Sequence, residues 1–185
     1  VIDPRYTETA KYADLYLPIK VGTDIDFFNL VAARLIDDGK VDEEFIKNHT
    51  NGFDTFRNKL KRIAKTKMLK RTGLSKEQFE EFIQMFYENE NITSAWTMGL
   101  NQSVQGVDKN LSLINLHLIS GKINKKGNGP FSLTGQPNAM GGREVGGLST
   151  TLAVHLDYDE ESVKKVEKFW KTSDIKNSVG LTATQ

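Results

Sequence analysis

The 185 residues carry 25 lysines and arginines against 24 aspartates and glutamates, a net charge of +1, with 38% hydrophobic residues and no cysteine. A chain of this length can bury a real core. Its balanced charge creates no field to gather nucleic acid or an anionic membrane, and no apolar run approaches the roughly 18 residues of a membrane span. Without cysteine the chain builds no disulfide, zinc–thiolate site, iron–sulfur cluster or thiol nucleophile of its own, and that lack fits either side of a membrane.

Val1 to Asp3 reads as the end of a strand, Thr7 to Ala10 as a turn or short helix, and Leu15 to Ile19 as a second short strand. Thr23 or Asp24 can cap the next helix, whose Phe28, Val31 and Leu35 fall at i, i+3 and i+7 before a stop at Gly39. Short helices are expected over Val41 to Thr50 and Phe53 to Leu60, followed by a basic cluster from Arg57 to Arg71. Single aliphatics separate those charges and no aromatic interleaves them, which fits a solvated helix face better than a nucleic-acid surface. Ser75 and Gln78 have the spacing of a capping box, and Phe79, Phe82, Ile83 and Phe86 follow on one helical face. Ile92 to Met98 reads as a buried strand, and Val107, Leu111, Ile114 and Leu118 mark a helix ended by Gly121. A last helix runs from Glu160 to Lys171, with Asp157, Asp159, Glu160 and Glu161 at its positive dipole end. Strands alternating with helices predict an α/β layer fold with an at least partly parallel sheet. The opening without Met and the open ending at Gly180 to Gln185 lead us to expect a piece of a longer protein.

Three places could carry chemistry. Asp3 and Arg5 follow the first strand, while Gly22, Thr23 and Asp24 open a helix after the second. Ligands of open α/β sheets bind at strand carboxyl ends, and a helix N-terminus offers unpaired N–H groups to phosphate. The residues alone equally allow a helix cap at Asp24 and a plain turn at Asp3-Pro4. Met98 and Gln102 sit where the third strand gives way to a helix; the competing reading makes Met98 core filler and Asn101 a helix cap. The third place lies in a glycine-dense zone, eight of the chain's fifteen glycines falling between 121 and 147. It presents Thr134, Gln136 and Arg143, an amide and a guanidinium suited to a small planar oxyanion or a phosphate. A flexible surface loop is the alternative, and Met140, Val145 and Leu148 favour a packed, shaped one. His49, His117 and His155 lack metal-ligand spacing, so no metal ligand is expected in this chain.

The run Thr134-Gly135-Gln136-Pro137-Asn138-Ala139-Met140-Gly141-Gly142-Arg143-Glu144-Val145-Gly146-Gly147, with Trp96 to Asp108 before it, resembles the catalytic subunit of molybdopterin-guanine-dinucleotide oxidoreductases. Val1-Ile2-Asp3-Pro4-Arg5-Tyr6-Thr7-Glu8-Thr9-Ala10, Ala13-Asp14 and Gly22-Thr23-Asp24 match the same superfamily, and the likeness covers nearly the whole chain. Within it, bacterial assimilatory and periplasmic nitrate reductases are most similar.

That resemblance implies a Rossmann-related mixed sheet flanked by helices, the central cofactor-binding part of a larger enzyme. Residues 1–133 would form most of one α/β domain. Residues 134–185 would begin the return into a neighbouring one, and are expected to be poorly ordered or dependent on non-native contacts. It implies a bis-molybdopterin guanine dinucleotide cofactor with molybdenum, and in the parent a 4Fe–4S cluster that this cysteine-free segment does not ligate. Asp3, Arg5, Gly22, Thr23 and Asp24 would meet a guanine nucleotide arm, and Met98 and Gln102 the pterin. Gln136 and Arg143 would flank the channel for nitrate, which takes part in a two-electron oxygen-atom transfer. Thr134 stands where related formate dehydrogenases carry an arginine in Arg-Gly-Gln-Asn-Asn, which argues against formate. The expected partners are nitrate and an electron-donor protein or domain, without nucleic acid or membrane. The expected place is the cytoplasm, with a periplasmic parent as the alternative. The segment alone is expected to be inactive. A formate dehydrogenase-like enzyme and a non-catalytic nucleotide-binding module are the competing functions.

Overall fold

A computed structural model describes residues 1–181 and divides the chain into two compact units, Val1–Leu133 and Thr134–Gln185. The last four residues of the second unit lie outside the described part.

The first unit is built around α1 (Asp24–Asp37), which carries a row of apolar side chains and buries Phe27, Phe28, Leu30, Val31 and Leu35. Into the same apolar core pack α2 (Glu43–His49), α3 (Phe53–Lys61), α4 (Lys65–Thr72) and α5 (Lys76–Glu88). The capping box at the start of α5 forms as the spacing predicts. Ser75 accepts the Gln78 N–H at 3.1 Å, and Gln78 returns the bond to the Ser75 N–H at 3.0 Å. Such a cap is worth about 1 kcal/mol. Phe79 and Ile83 then face α1, and the Phe82 and Phe79 rings stand 5.1 and 6.4 Å from Phe27, edge to face. Polar ties follow the same contacts. Arg34 bonds Asp38 at 2.6 Å and Glu80 at 2.7 Å, and the Arg34 guanidinium, helped by the Tyr87 hydroxyl, holds the Asp38 carboxyl below its usual range. The buried Asp26 carboxylate lies 2.7 Å from the Arg71 guanidinium of α4, but off-axis, so the contact is ionic and not a hydrogen bond.

The sheet is smaller than the strand pattern predicts. β1 (Thr93–Trp96) and β2 (Gly129–Ser132) pair in parallel, Thr93 opposite Gly129 and Ala95 opposite Phe131. The crossover between them is α6 (Met98–Asn101) and α7 (Gly106–Ile119), the helical connection a parallel pair requires. Instead of full strands at Val1–Asp3 and Leu15–Ile19, one parallel bridge joins Ile2 to Leu17. Thr9–Tyr12 form a single 3-10 turn between them. Two further expectations are corrected. β1 alternates exposed and half-buried residues and is not a buried strand, because only one of its faces is packed. α7 buries Leu113, Leu116 and Ile119, whereas Val107 on the expected face is 74% exposed.

The second unit has its own small cluster of Leu152, Val163 and Val166, backed by Leu156, Tyr158 and Ile175. Its six-residue α8 (Ala139–Glu144) precedes α9 (Glu160–Trp170). Asp159 caps α9 by accepting the N–H groups of Glu161 and Ser162, the structural role expected of this acidic start. Val163 and Val166 are buried on that helix, but Phe169 is 82% exposed.

Candidate functional site

Gly22, at φ +80 in the left-handed region, turns the chain into α1. Among the described residues no side-chain cap forms at its first turn. The Thr23 hydroxyl, expected as a cap, donates to the Lys20 carbonyl at 2.6 Å and accepts no helix N–H. The first N–H groups of a 14-residue helix therefore lack a side-chain acceptor, the condition under which a helix start receives an anion.

Asp24 begins that helix, and its carboxylate is engaged. The Lys109 ammonium on α7 lies 2.7 Å from Oδ2, with the two side chains only 8% and 15% exposed for lysine and aspartate. The same ammonium makes a long contact, 3.4 Å, with the Gly99 carbonyl of α6. A carboxylate has about four acceptor sites, so this pairing leaves Oδ1 available to a ligand. Sequence reasoning missed Lys109. It sits at i, i+4 and i+7 with Leu113 and Leu116, but only the fold shows that this stripe is the buried one, where a charge demands a partner.

Asp24 shares a cleft of about 490 Å³ with Ile2, Phe28, Trp96, Leu100 and His117. Asp3 does not line it. The Asp3 carboxylate accepts the Arg5 N–H at 2.8 Å, closing a turn over Asp3-Pro4-Arg5, while the Arg5 side chain is exposed. Met98 and Gln102 are both exposed at the two ends of α6. Asn101 is not the helix cap that the sequence allowed. Its Oδ1 accepts from the Trp96 indole at 3.0 Å and its amide donates to Ser132 at 2.9 Å, while Asn110 takes the same indole N–H at 2.8 Å. This network fixes the point where the chain leaves β1, and with it the direction of Met98 to Gln102.

His117 is structural. Its Nδ1 lies 2.7 Å from the Lys122 carbonyl, which can only accept, so Nδ1 carries the proton and Nε2 accepts from Ser94 at 2.8 Å. Burial lowers its pKa below the ordinary 6.5. As pH falls through 6.5 the unfolded chain takes up a proton that the folded ring still refuses, so stability falls with pH across that window. A lower urea midpoint at pH 5.5 than at pH 7.5 is expected, and His117→Gln should flatten the difference. An unchanged slope in that variant would show that other groups carry it.

In the second unit Thr134, Gln136 and Arg143 are exposed, the first two before α8 and the third in its last turn. Next to Arg143, Glu144 is held by His155 at 2.9 Å. The glycine run here is shaped. Gly147 donates to the Gly142 carbonyl at 2.8 Å, and a Cβ on Gly147 would come within 2.5 Å of that oxygen.

The family profile described as molybdopterin oxidoreductase matches residues 1–182. The chain belongs to the molybdopterin oxidoreductase family. It is 42% identical to a nitrate reductase of Shewanella frigidimarina over 100% of this chain and 20% of that protein. It is also 42% identical to one of Synechocystis over 99% of this chain and 26% of that protein. A subunit of an F420-dependent formate dehydrogenase of Methanococcus maripaludis is 33% identical over 100% of this chain and 27% of its own length. The chain thus spans a fifth to about a quarter of these relatives. Among solved structures, acetylene hydratase of Pelobacter acetylenicus superposes with a TM-score of 0.63 over 68% of this chain and 17% of its own, at 23% identity, a likeness of fold. Membership in the molybdopterin oxidoreductase family implies a molybdopterin cofactor. The uncapped α1 start beside an available Asp24 oxygen is chemistry that fits a phosphate-linked heterocycle.

Proposed function

We propose that this segment belongs to the catalytic subunit of a molybdenum-dependent nitrate reductase. The observation that carries the reading is the 37–42% identity to nitrate reductases along the chain, against 33–36% to formate dehydrogenase subunits. In this reading the cofactor is bis-molybdopterin guanine dinucleotide. Gly22, Thr23 and Asp24 receive a guanine nucleotide arm at the start of α1, with Asp3 and Arg5 as the adjoining turn. Met98 and Gln102 face the pterin. When bound, the cofactor supplies the two-electron chemistry that converts nitrate to nitrite.

The protein groups bind and orient. Arg143 offers a fixed charge and paired N–H donors to a planar anion, and Gln136 adds a neutral donor that orients nitrate without trapping it. Thr134 takes the place of the formate-holding arginine of related dehydrogenases. A 4Fe–4S cluster would be held elsewhere in the parent, since this chain has no cysteine. An electron-donor protein or domain would feed it, and the wording of residues 134–147 favours a cytoplasmic, assimilatory parent over a periplasmic one. Residues 134–185 would be the start of a neighbouring domain.

The formate dehydrogenase relatives keep a second reading open. The test is the full-length parent assayed for nitrate-dependent oxidation of reduced viologen and, in parallel, for formate oxidation. Nitrate turnover without formate activity supports the proposal; formate activity alone transfers the segment to the second reading.

A further inference from the structure

Lysine is rarely buried unless it is paired, and a buried ion pair is seldom more stabilising than well-packed apolar side chains of similar volume. Lys109 occupies the stripe of α7 that otherwise buries Leu113 and Leu116, so an apolar pair at 109 and 24 would fill the space without the cost of desolvating two charges. What the ammonium does is reach two separate segments. It lies 2.7 Å from the carboxylate that opens α1 and 3.4 Å from the carbonyl of Gly99, inside the Met98 to Gln102 turn.

We propose that Lys109 is a positioning residue of the cofactor site, a single buried ammonium tying the Asp24 carboxylate to the Gly99 carbonyl and so holding the Gly22–Asp24 and Met98–Gln102 segments at a fixed separation. The inference rests on the reading that those two segments contact the cofactor. Lys109 also sets the character of Asp24. With the charge compensated at Oδ2, the carboxylate presents an acceptor with little net charge. That suits the N–H edge of a neutral heterocycle better than a cation. Lys109 acts through these partners and does not itself touch the ligand.

The test uses the full-length, cofactor-loaded parent. Molybdenum and oxidised-pterin fluorescence retained during dialysis are measured, with thermal unfolding of the cofactor-stripped protein followed beside them. Lys109→Met is expected to lose cofactor at least about fivefold faster than wild type, and Asp24→Asn comparably fast. The double variant should lose it no faster than Asp24→Asn alone, because the two residues act as one unit. Lys109→Arg, which keeps donors for both oxygens, should restore retention to within about twofold. Should Lys109→Met fail to fold, Lys109→Gln takes its place. Wild-type retention in the lysine variant while Asp24→Asn loses cofactor would overturn the positioning role and leave the site reading intact. Wild-type retention in both would overturn both. Losses that multiply in the double variant would mean that Lys109 binds the cofactor directly, and would also overturn the proposal. Because the readout is cofactor and not turnover, the outcome does not depend on whether the substrate is nitrate.

Discussion

Arg143→Ala in the full-length parent is expected to lower kcat/KM for nitrate by at least about tenfold, roughly 1.4 kcal/mol of lost transition-state binding. Arg143 lies exposed in the last turn of α8, and its neighbour Glu144 is engaged by His155. A guanidinium so placed can gather an anion in two ways, and kinetics separates them. If it acts only as a charge that attracts nitrate, KM rises, kcat holds, added salt weakens the difference, and Arg143→Lys restores most of the activity. If its paired N–H donors fix the planar anion, lysine does not substitute and kcat falls as well. A loss smaller than tenfold in the alanine variant would remove Arg143 from the substrate path and leave the cofactor-site reading where it stands.

Elements whose evidence is local were legible in the sequence. The Ser75 capping box and the Phe28, Val31 and Leu35 row of α1 appear in the structure because cap and period lie within a few residues of each other. The crossover helix α7 was harder. Aliphatic residues occur around most of its circumference, at 107, 111, 113, 114, 116, 118 and 119, so spacing alone could not choose the buried stripe. Lys109 misdirects that choice: its charge argues for solvent until Asp24, distant in sequence, is known to face it. The strand at Ile92 to Met98 reads as buried from its tryptophan and aliphatics, yet burial depends on how many layers cover a sheet, which a strand's own sequence does not encode.

The candidate site divides along the same line. Gly22 to Asp24 reads as a helix start able to meet a phosphate, and the structure leaves that start without a side-chain cap. The partner of Asp24, the cleft it shares with Ile2 and Trp96, and the use of Asp3 within its own turn are long-range or conformational facts. Spacing carries no trace of them. For Thr134, Gln136 and Arg143 the motif points to chemistry, and the structure adds exposure and a glycine run that admits no side chain at Gly147.

Phe27→Ala is expected to cost the first unit about 3–5 kcal/mol. The ring is 0% exposed and is flanked edge to face by Phe28 at 5.7 Å, Phe79 at 6.4 Å and Phe82 at 5.1 Å. Removing it leaves a cavity walled by other rings and by two helices that cannot close together, so both the transfer energy and the packing of its neighbours are lost. Against a typical domain stability of about 5–15 kcal/mol that loss is a large fraction. It should appear as a strongly lowered urea midpoint with little change in slope. Phe27→Leu, which keeps most of the volume, should cost less than half as much. A loss below about 1.5 kcal/mol for the alanine variant would mean that the α1–α5 interface repacks, and that the aromatic cluster does not hold the helix that presents Asp24.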